Sequence, residues 1–183
     1  GHDGRPFAVE PRAVLRMVLD RLEEMDLTAV AAVELEFYLV ERDRTEGAPP
    51  RSAADRDTGR RPRNPNVYSL DELDAFNVVF RDISAAAAVQ GIPTDTLITE
   101  HGPAQYEINL WHRPDAVQAA DFAVMFKRVV KGVARRHGIE ASFMAKPFGR
   151  SAGNGMHVHL SLVDADGRNV FDDGGQGSAT LRH

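Results

Sequence analysis

The chain has 183 residues, of which 43% are hydrophobic and 27% charged, with a formal net charge of -5. That is enough apolar mass for a core, with no basic surplus for a nucleic-acid partner. The absence of cysteine excludes a disulfide framework and a soft thiolate metal site. No run of about 18 apolar residues suits a membrane span, and no secretory leader is recognised. The expectation is a soluble cytoplasmic protein without a membrane partner.

In chain order, Pro11 opens a helix in which Val14, Leu15, Val18, Leu19 and Leu22 form an apolar stripe, with Arg12, Arg16, Asp20 and Glu23 outside it. A strand over about 29–41 follows. Residues 42–66 are rich in charge, proline and glycine, with Arg60, Arg61 and Arg63 clustered, and are expected to form a solvated, mobile loop. Ser69 caps the next helix, with Glu72 completing a capping box and the apolar pattern continuing through Phe76, Val79, Phe80 and Ile83 toward Gly91. Strands over about 95–100 and 105–111 come next. Pro114 opens a third helix that runs to His137-Gly138. Its Phe122, Met125, Phe126, Val129 and Val133 face the core, and its Lys127, Arg128, Lys131, Arg135 and Arg136 form a solvated face. Strands over about 140–146 and 156–164, and a turn at Asp164-Ala165-Asp166-Gly167, complete the set. This order argues for an α+β fold, a largely antiparallel sheet covered by helices on one face.

Three of these strands carry a polar row. Because alternate side chains of a strand share a face, Glu34, Glu36 and Tyr38 lie opposite Val33, Leu35, Phe37 and Leu39. Gln105, Glu107 and Asn109 lie opposite Tyr106, Ile108 and Leu110. His157, His159 and Ser161 lie opposite Met156, Val158, Leu160 and Leu162. The apolar rows are expected to form one core beneath the helices that contain Leu19, Phe80 and Phe122. Packed like charges repel and their burial is costly, so the carboxylates need either lysine or arginine partners or divalent cations. Carboxylates with a histidine nearby suit Mg2+ or Mn2+ better than zinc.

The run Phe143-Met144-Ala145-Lys146-Pro147, followed by Gly153-x-Gly155-Met156-His157-x-His159-x-Ser161, resembles the signature of the glutamine synthetase family. Glu100 to Glu107 resembles the family's second signature, and Val33-Glu34-Leu35-Glu36-Phe37 its first metal-binding strand. The similarity runs from about Asp3 to Asp173. It implies a catalytic domain with a curved sheet and an ATP-dependent ligase that joins the γ-carboxylate of glutamate to ammonia or an amine through γ-glutamyl phosphate. Carried over by position, Glu36, Glu100 and Glu107 would hold the cation nearer glutamate, and Glu34 and His157 the cation that bridges the nucleotide phosphates. Asp95, His159, Leu160 and Ser161 would line the ATP site, and Ala152 and Gly153 would meet the substrate. Ala152 stands where many ammonia-using members have asparagine. The wording around Glu100–Leu110 and Ser69–Asp74 is more similar to the γ-glutamylpolyamine (putrescine) branch.

The resemblance further implies that residues 1–183 are the N-terminal part of the catalytic domain, lacking its C-terminal part and the small N-terminal domain that bear other catalytic residues. It also implies a homo-oligomer, a double ring of six with sites between subunits. Two other readings are a non-catalytic structural or regulatory relative and an ATP-independent metallohydrolase.

Overall fold

The computed structural model describes residues 4, 7, 9–43, 47–62 and 67–182. They run α1 (Pro11–Glu23), β1 (Thr28–Glu41), α2 (Leu70–Asp74), α3 (Asn77–Val89), β2 (Thr94–Thr99), β3 (Gln105–Leu110), α4 (Ala116–Arg136), β4 (Ile139–Ser142), β5 (Met156–Val163) and α5 (Ala179–Arg182). Asp3, Arg63, Asn66 and His183 lie outside the described residues. The sheet order is β2-β3-β1-β4, with β5 also pairing with β1. The pairs β1–β3, β1–β4 and β2–β3 are antiparallel, as the element order leads one to expect. Among the described residues no helix is long and apolar enough to cross a membrane.

The chain divides into two compact units: residues 1–32, 112–121 and 158–183 form one, and residues 33–111 and 122–157 the other. In the second unit the apolar rows of β1 (Val33, Leu35, Phe37, Leu39) and β3 (Tyr106, Ile108, Leu110) meet α3 through Val79, Phe80 and Ile83. They meet α4 through Phe126, Val130 and Val133. Both helices therefore bury one stripe on one face of the sheet, and the polar rows are left on the other.

The first unit has its own small cluster. Leu19 and Leu22 of α1 pack with Ala29, Ala31, Ala116, Ala119 and Leu162. The carboxylate of Glu10 caps α1 by accepting from the backbone of Arg12 and Ala13, and Pro11 occupies its first turn. Arg12 forks onto Asp121, with Nε to Oδ1 at 2.9 Å and Nη2 to Oδ2 at 2.8 Å.

Several expectations need correction. Leu19 belongs to the small cluster of the first unit and not to the core that contains Phe80. Met156, Val158 and Leu160 are 51–59% exposed, because alternation identifies a two-faced strand without saying what covers it. Of that row, only Leu162 packs in the first unit's cluster. Val14 and Val18 of α1 are likewise exposed. The helix beginning at Ser69 is broken: Phe76 leaves helical geometry at φ −123°, ψ 20°. Its ring is buried against Tyr106, centroids 6.0 Å apart, so packing overrides helix continuity. Half of the capping box forms, with Ser69 Oγ accepting from the N–H of Glu72, while the N–H of Ser69 donates to Thr99 Oγ1. β4 stops at Ser142 because Asn154 Nδ2 donates to the carbonyls of Ser142 and Met144, drawing the following segment toward residues 153–155.

Part of segment 42–66 is fastened to β1. The N–H of Ala53 donates to Leu39 O, and Glu41 N–H donates to Arg51 O. Arg61 pairs with Glu41 and donates to Ser52 O. Asp55 closes a turn by accepting from the N–H of Asp57 and the hydroxyl of Thr58.

Candidate active site

On the open face of the second unit the antiparallel register sets Glu36 opposite Glu107 and Glu34 opposite Asn109. A tight connection then folds back from β2 to β3: the N–H of Gln105 donates to Gly102 O and the N–H of Glu100 to Gln105 O. Ala104 adopts a positive φ of 60° in this turn. The turn places Glu100 beside the same row. His157, at the start of β5, arrives with its Nδ1 3.1 Å from Glu34 Oε2 and 3.7 Å from Glu107 Oε2. Ligand atoms of Glu34, Glu107 and His157 all lie within 4.8 Å of one another, and so do those of Glu36, Glu100 and Glu107. Glu107 belongs to both groups, whereas the resemblance assigned it to the second alone.

Glu107 is the buried member, with 7% of its side chain exposed. Burial, and after it the charges of Glu34, Glu100 and Glu36, pushes its carboxyl up to about 7, with His157 alone opposing the rise. An arrangement that raises a carboxyl this way lacks positive charge at its centre. Hard oxygen donors with one imidazole fit Mg2+ or Mn2+. Without a cation, the folded chain holds the Glu107 proton more tightly than the unfolded chain does. The resulting stabilisation is full below the ordinary value of 4.5 and is lost as pH rises through about 7. Chelator-treated protein is therefore expected to melt at higher temperature at about pH 6 than at about pH 8, and Glu107→Gln to flatten that dependence. Added Mn2+ should restore stability at the higher pH. Differential scanning calorimetry across pH checks all three.

The residue that organises this face is Gln105, which is fully buried. Its Nε2 lies 2.7 Å from Glu36 Oε2, 2.9 Å from Gly153 O and 3.1 Å from Asn154 Oδ1, while its Oε1 accepts from the N–H of Gly102 at 2.8 Å. One amide thus fixes a carboxylate, the 153–154 backbone and the β2–β3 turn. The polar row exposes Gln105 in the sequence, but an uncharged amide gives no reason to single it out.

The segment before β5 is held just as closely. Tyr38 donates its hydroxyl to Ala152 O at 2.8 Å. Burial, and then the charge of Glu36, pushes that phenol up to about 12, which keeps it a donor. Gly153 has no room for a side chain, since a Cβ there would sit 2.7 Å from Ala145 O, and a Cβ on Gly155 would sit 2.8 Å from Glu36 Oε1. Gly155 O also accepts from the N–H of Glu36 at 3.2 Å. Glu36 is therefore steered by the 153–155 backbone as well as by Gln105.

The residues that the resemblance assigns to the nucleotide lie outside these groups. Asp95 is exposed, at the irregularity of β2 between Thr94 and Leu97. His159 and Leu160 are exposed and Ser161 half-buried, all on the part of β5 in the first unit. Among the described residues, neither Asp95 nor His159 joins a carboxylate and imidazole group tight enough to share an ion.

The family model for the glutamine synthetase catalytic domain matches residues 8–183, and the chain belongs to that family. The chain is 43% identical over 184 residues to gamma-glutamylputrescine synthetase PuuA of Escherichia coli, an alignment covering 98% of this chain and 38% of that protein. It is 37% identical over 170 residues to a glutamine synthetase of Pyrococcus horikoshii, covering 92% of this chain and 35% of the relative. A solved structure of a GmaS/ADP complex superposes with a TM-score of 0.82 at 34% identity, covering 98% of this chain and 40% of that one. The chain thus spans less than two fifths of the length of the curated relatives it matches.

Proposed function

We propose that the protein carrying this chain is an ATP-dependent ligase that joins the γ-carboxylate of glutamate to an amine by way of γ-glutamyl phosphate. One observation carries the reading: two groups of ligand atoms, each within 4.8 Å, that share Glu107. Divalent cations held there would neutralise the charge that gathers when an anionic phosphoryl group meets an anionic carboxylate. Glu36, Glu100 and Glu107 would hold one cation, and Glu34 and His157, with Glu107, the other. Gln105 fixes the Glu36 carboxylate. The Gly153 carbonyl is turned toward Gln105, and the residues at 152–153 would meet the glutamate. The ADP bound by the GmaS relative supports a nucleotide, with Asp95, His159, Leu160 and Ser161 as its contacts. Identity of 43% to a gamma-glutamylputrescine synthetase favours a polyamine acceptor over ammonia.

The test is phosphate release by the intact protein with glutamate, ATP and Mg2+ against ammonium, putrescine and other amines. Release is expected to require glutamate and to be faster with putrescine than with ammonium. ATP hydrolysis indifferent to glutamate would overturn the ligase reading.

Single substitutions separate the two groups. Glu100→Ala, which touches one group alone, should lower kcat by about a hundredfold or more while leaving ATP affinity nearly unchanged. His157→Ala should weaken Mg2+ and ATP together. Glu107→Ala should do both. Steady-state kinetics with titrated Mg2+ reads these patterns, and equal effects of Glu100→Ala and His157→Ala on ATP affinity would refute the division.

A further inference from the structure

A cleft of about 720 Å³ lies in the second unit, between α4, β4 and residues 143–147. It shares no residue with the carboxylate and imidazole groups. Among the described residues, Lys127, Lys131 and Arg135 line it, spaced four apart on α4, and Glu140 is the one carboxylate in its wall. Three cations against one carboxylate leave a surplus of two positive charges. Like charges four apart on a helix repel. The helix dipole favours basic residues in the last turn, which accounts for Arg135 but not for Lys127 or Lys131 farther back. Among the described residues, neither lysine nor Arg135 forms an ion pair with a carboxylate. Instead both ammonium groups lie over the ring of Phe143, 5.9 and 5.8 Å from its centroid.

The rest of the wall is apolar or a hydrogen-bonding group. Val40, Pro50, Met144 and Pro147 line it. Ser142 Oγ accepts from the N–H of Met144 at 3.4 Å, so its own proton can be donated. A concave, mainly apolar wall with a few converging charges is the composition of a small-molecule site.

We propose that this cleft binds a small organic phosphate. Its dianionic head meets Lys127, Lys131, Arg135 and the Ser142 hydroxyl, and its apolar body rests against Met144 and the prolines. Two negative charges match the surplus, and a phosphate accepts from several donors at once. The site is separate from the ligase centre and does not depend on it.

Calorimetric titration of the intact protein with phenyl phosphate tests this, beside inorganic phosphate and phenol. Phenyl phosphate should bind saturably, inorganic phosphate more weakly, and phenol not at all. The double variant Lys131→Gln/Arg135→Gln should lose at least about tenfold in affinity, as expected for two lost charge-assisted contacts. The charge-conserving Lys131→Arg/Arg135→Lys should keep most of it, which separates charge from a folding defect. Absence of saturable binding, or unchanged affinity in the charge-removing variant, overturns the proposal. Phenol binding as tightly as phenyl phosphate would show that charge is not recognised, and equal binding of inorganic phosphate would remove the role of the apolar wall.

Discussion

Replacing Phe37 with alanine should destabilise the protein by about 3–5 kcal/mol, the range for emptying a buried aromatic site. Phe37 is fully buried in the middle of β1. Its ring packs with Tyr106 at 6.2 Å and Phe143 at 5.3 Å between centroids. These neighbours belong to β3 and to the segment after β4, so the cavity would loosen three parts of the second unit at once. Phe37 also stands next to Glu36, and slack in the strand would reach the carboxylate row. Chemical denaturation compares the midpoints, and an unchanged midpoint would contradict the placement of Phe37 at the centre of the core.

Gln105→Leu should be nearly as damaging to the fold and more damaging to the site. Leucine fills a similar volume but cannot donate to Glu36, Gly153 and Asn154 or accept from Gly102. Each buried group left without a partner costs about 1–3 kcal/mol, and two such groups give a loss of about 2–6 kcal/mol. Residues that orient a metal ligand typically change affinity about 10–100-fold when removed, and Mn2+ affinity should fall by that much. Gln105→Glu keeps the acceptor for Gly102 but buries another carboxylate against Glu36, so it should also destabilise the fold and impair the site. Equilibrium Mn2+ binding, measured beside thermal melting, separates the two effects. Full Mn2+ affinity in Gln105→Leu would show that Gln105 is structural only.

Alternation made much of this legible, because a strand with one covered face must segregate its side chains. Val33, Leu35 and Phe37 of β1, and Tyr106, Ile108 and Leu110 of β3, follow that rule into the core, and their polar counterparts converge. The same rule misjudged Met156, Val158 and Leu160, since it reports two faces and not their neighbours. Helical periodicity could not reveal the break at Phe76, which depends on Tyr106 across the core. The double membership of Glu107 is a matter of register: β1 and β3 pair so that it faces Glu36, and His157 reaches it from a third strand. None of those partners is near it in the chain. The tether of Arg61 to Glu41 was hidden for the same reason, inside a segment whose composition reads as solvated.

The convergence of Glu34, Glu36, Glu100, Glu107 and His157 on divalent cations is tested most directly by anomalous diffraction from crystals of the intact protein grown with Mn2+. Two peaks are expected, one within about 2.0–2.6 Å of oxygens of Glu36, Glu100 and Glu107, the other at a similar distance from Glu34 and His157. Mn2+ bound only at other residues, or no peak at this face at saturating Mn2+, would contradict the site.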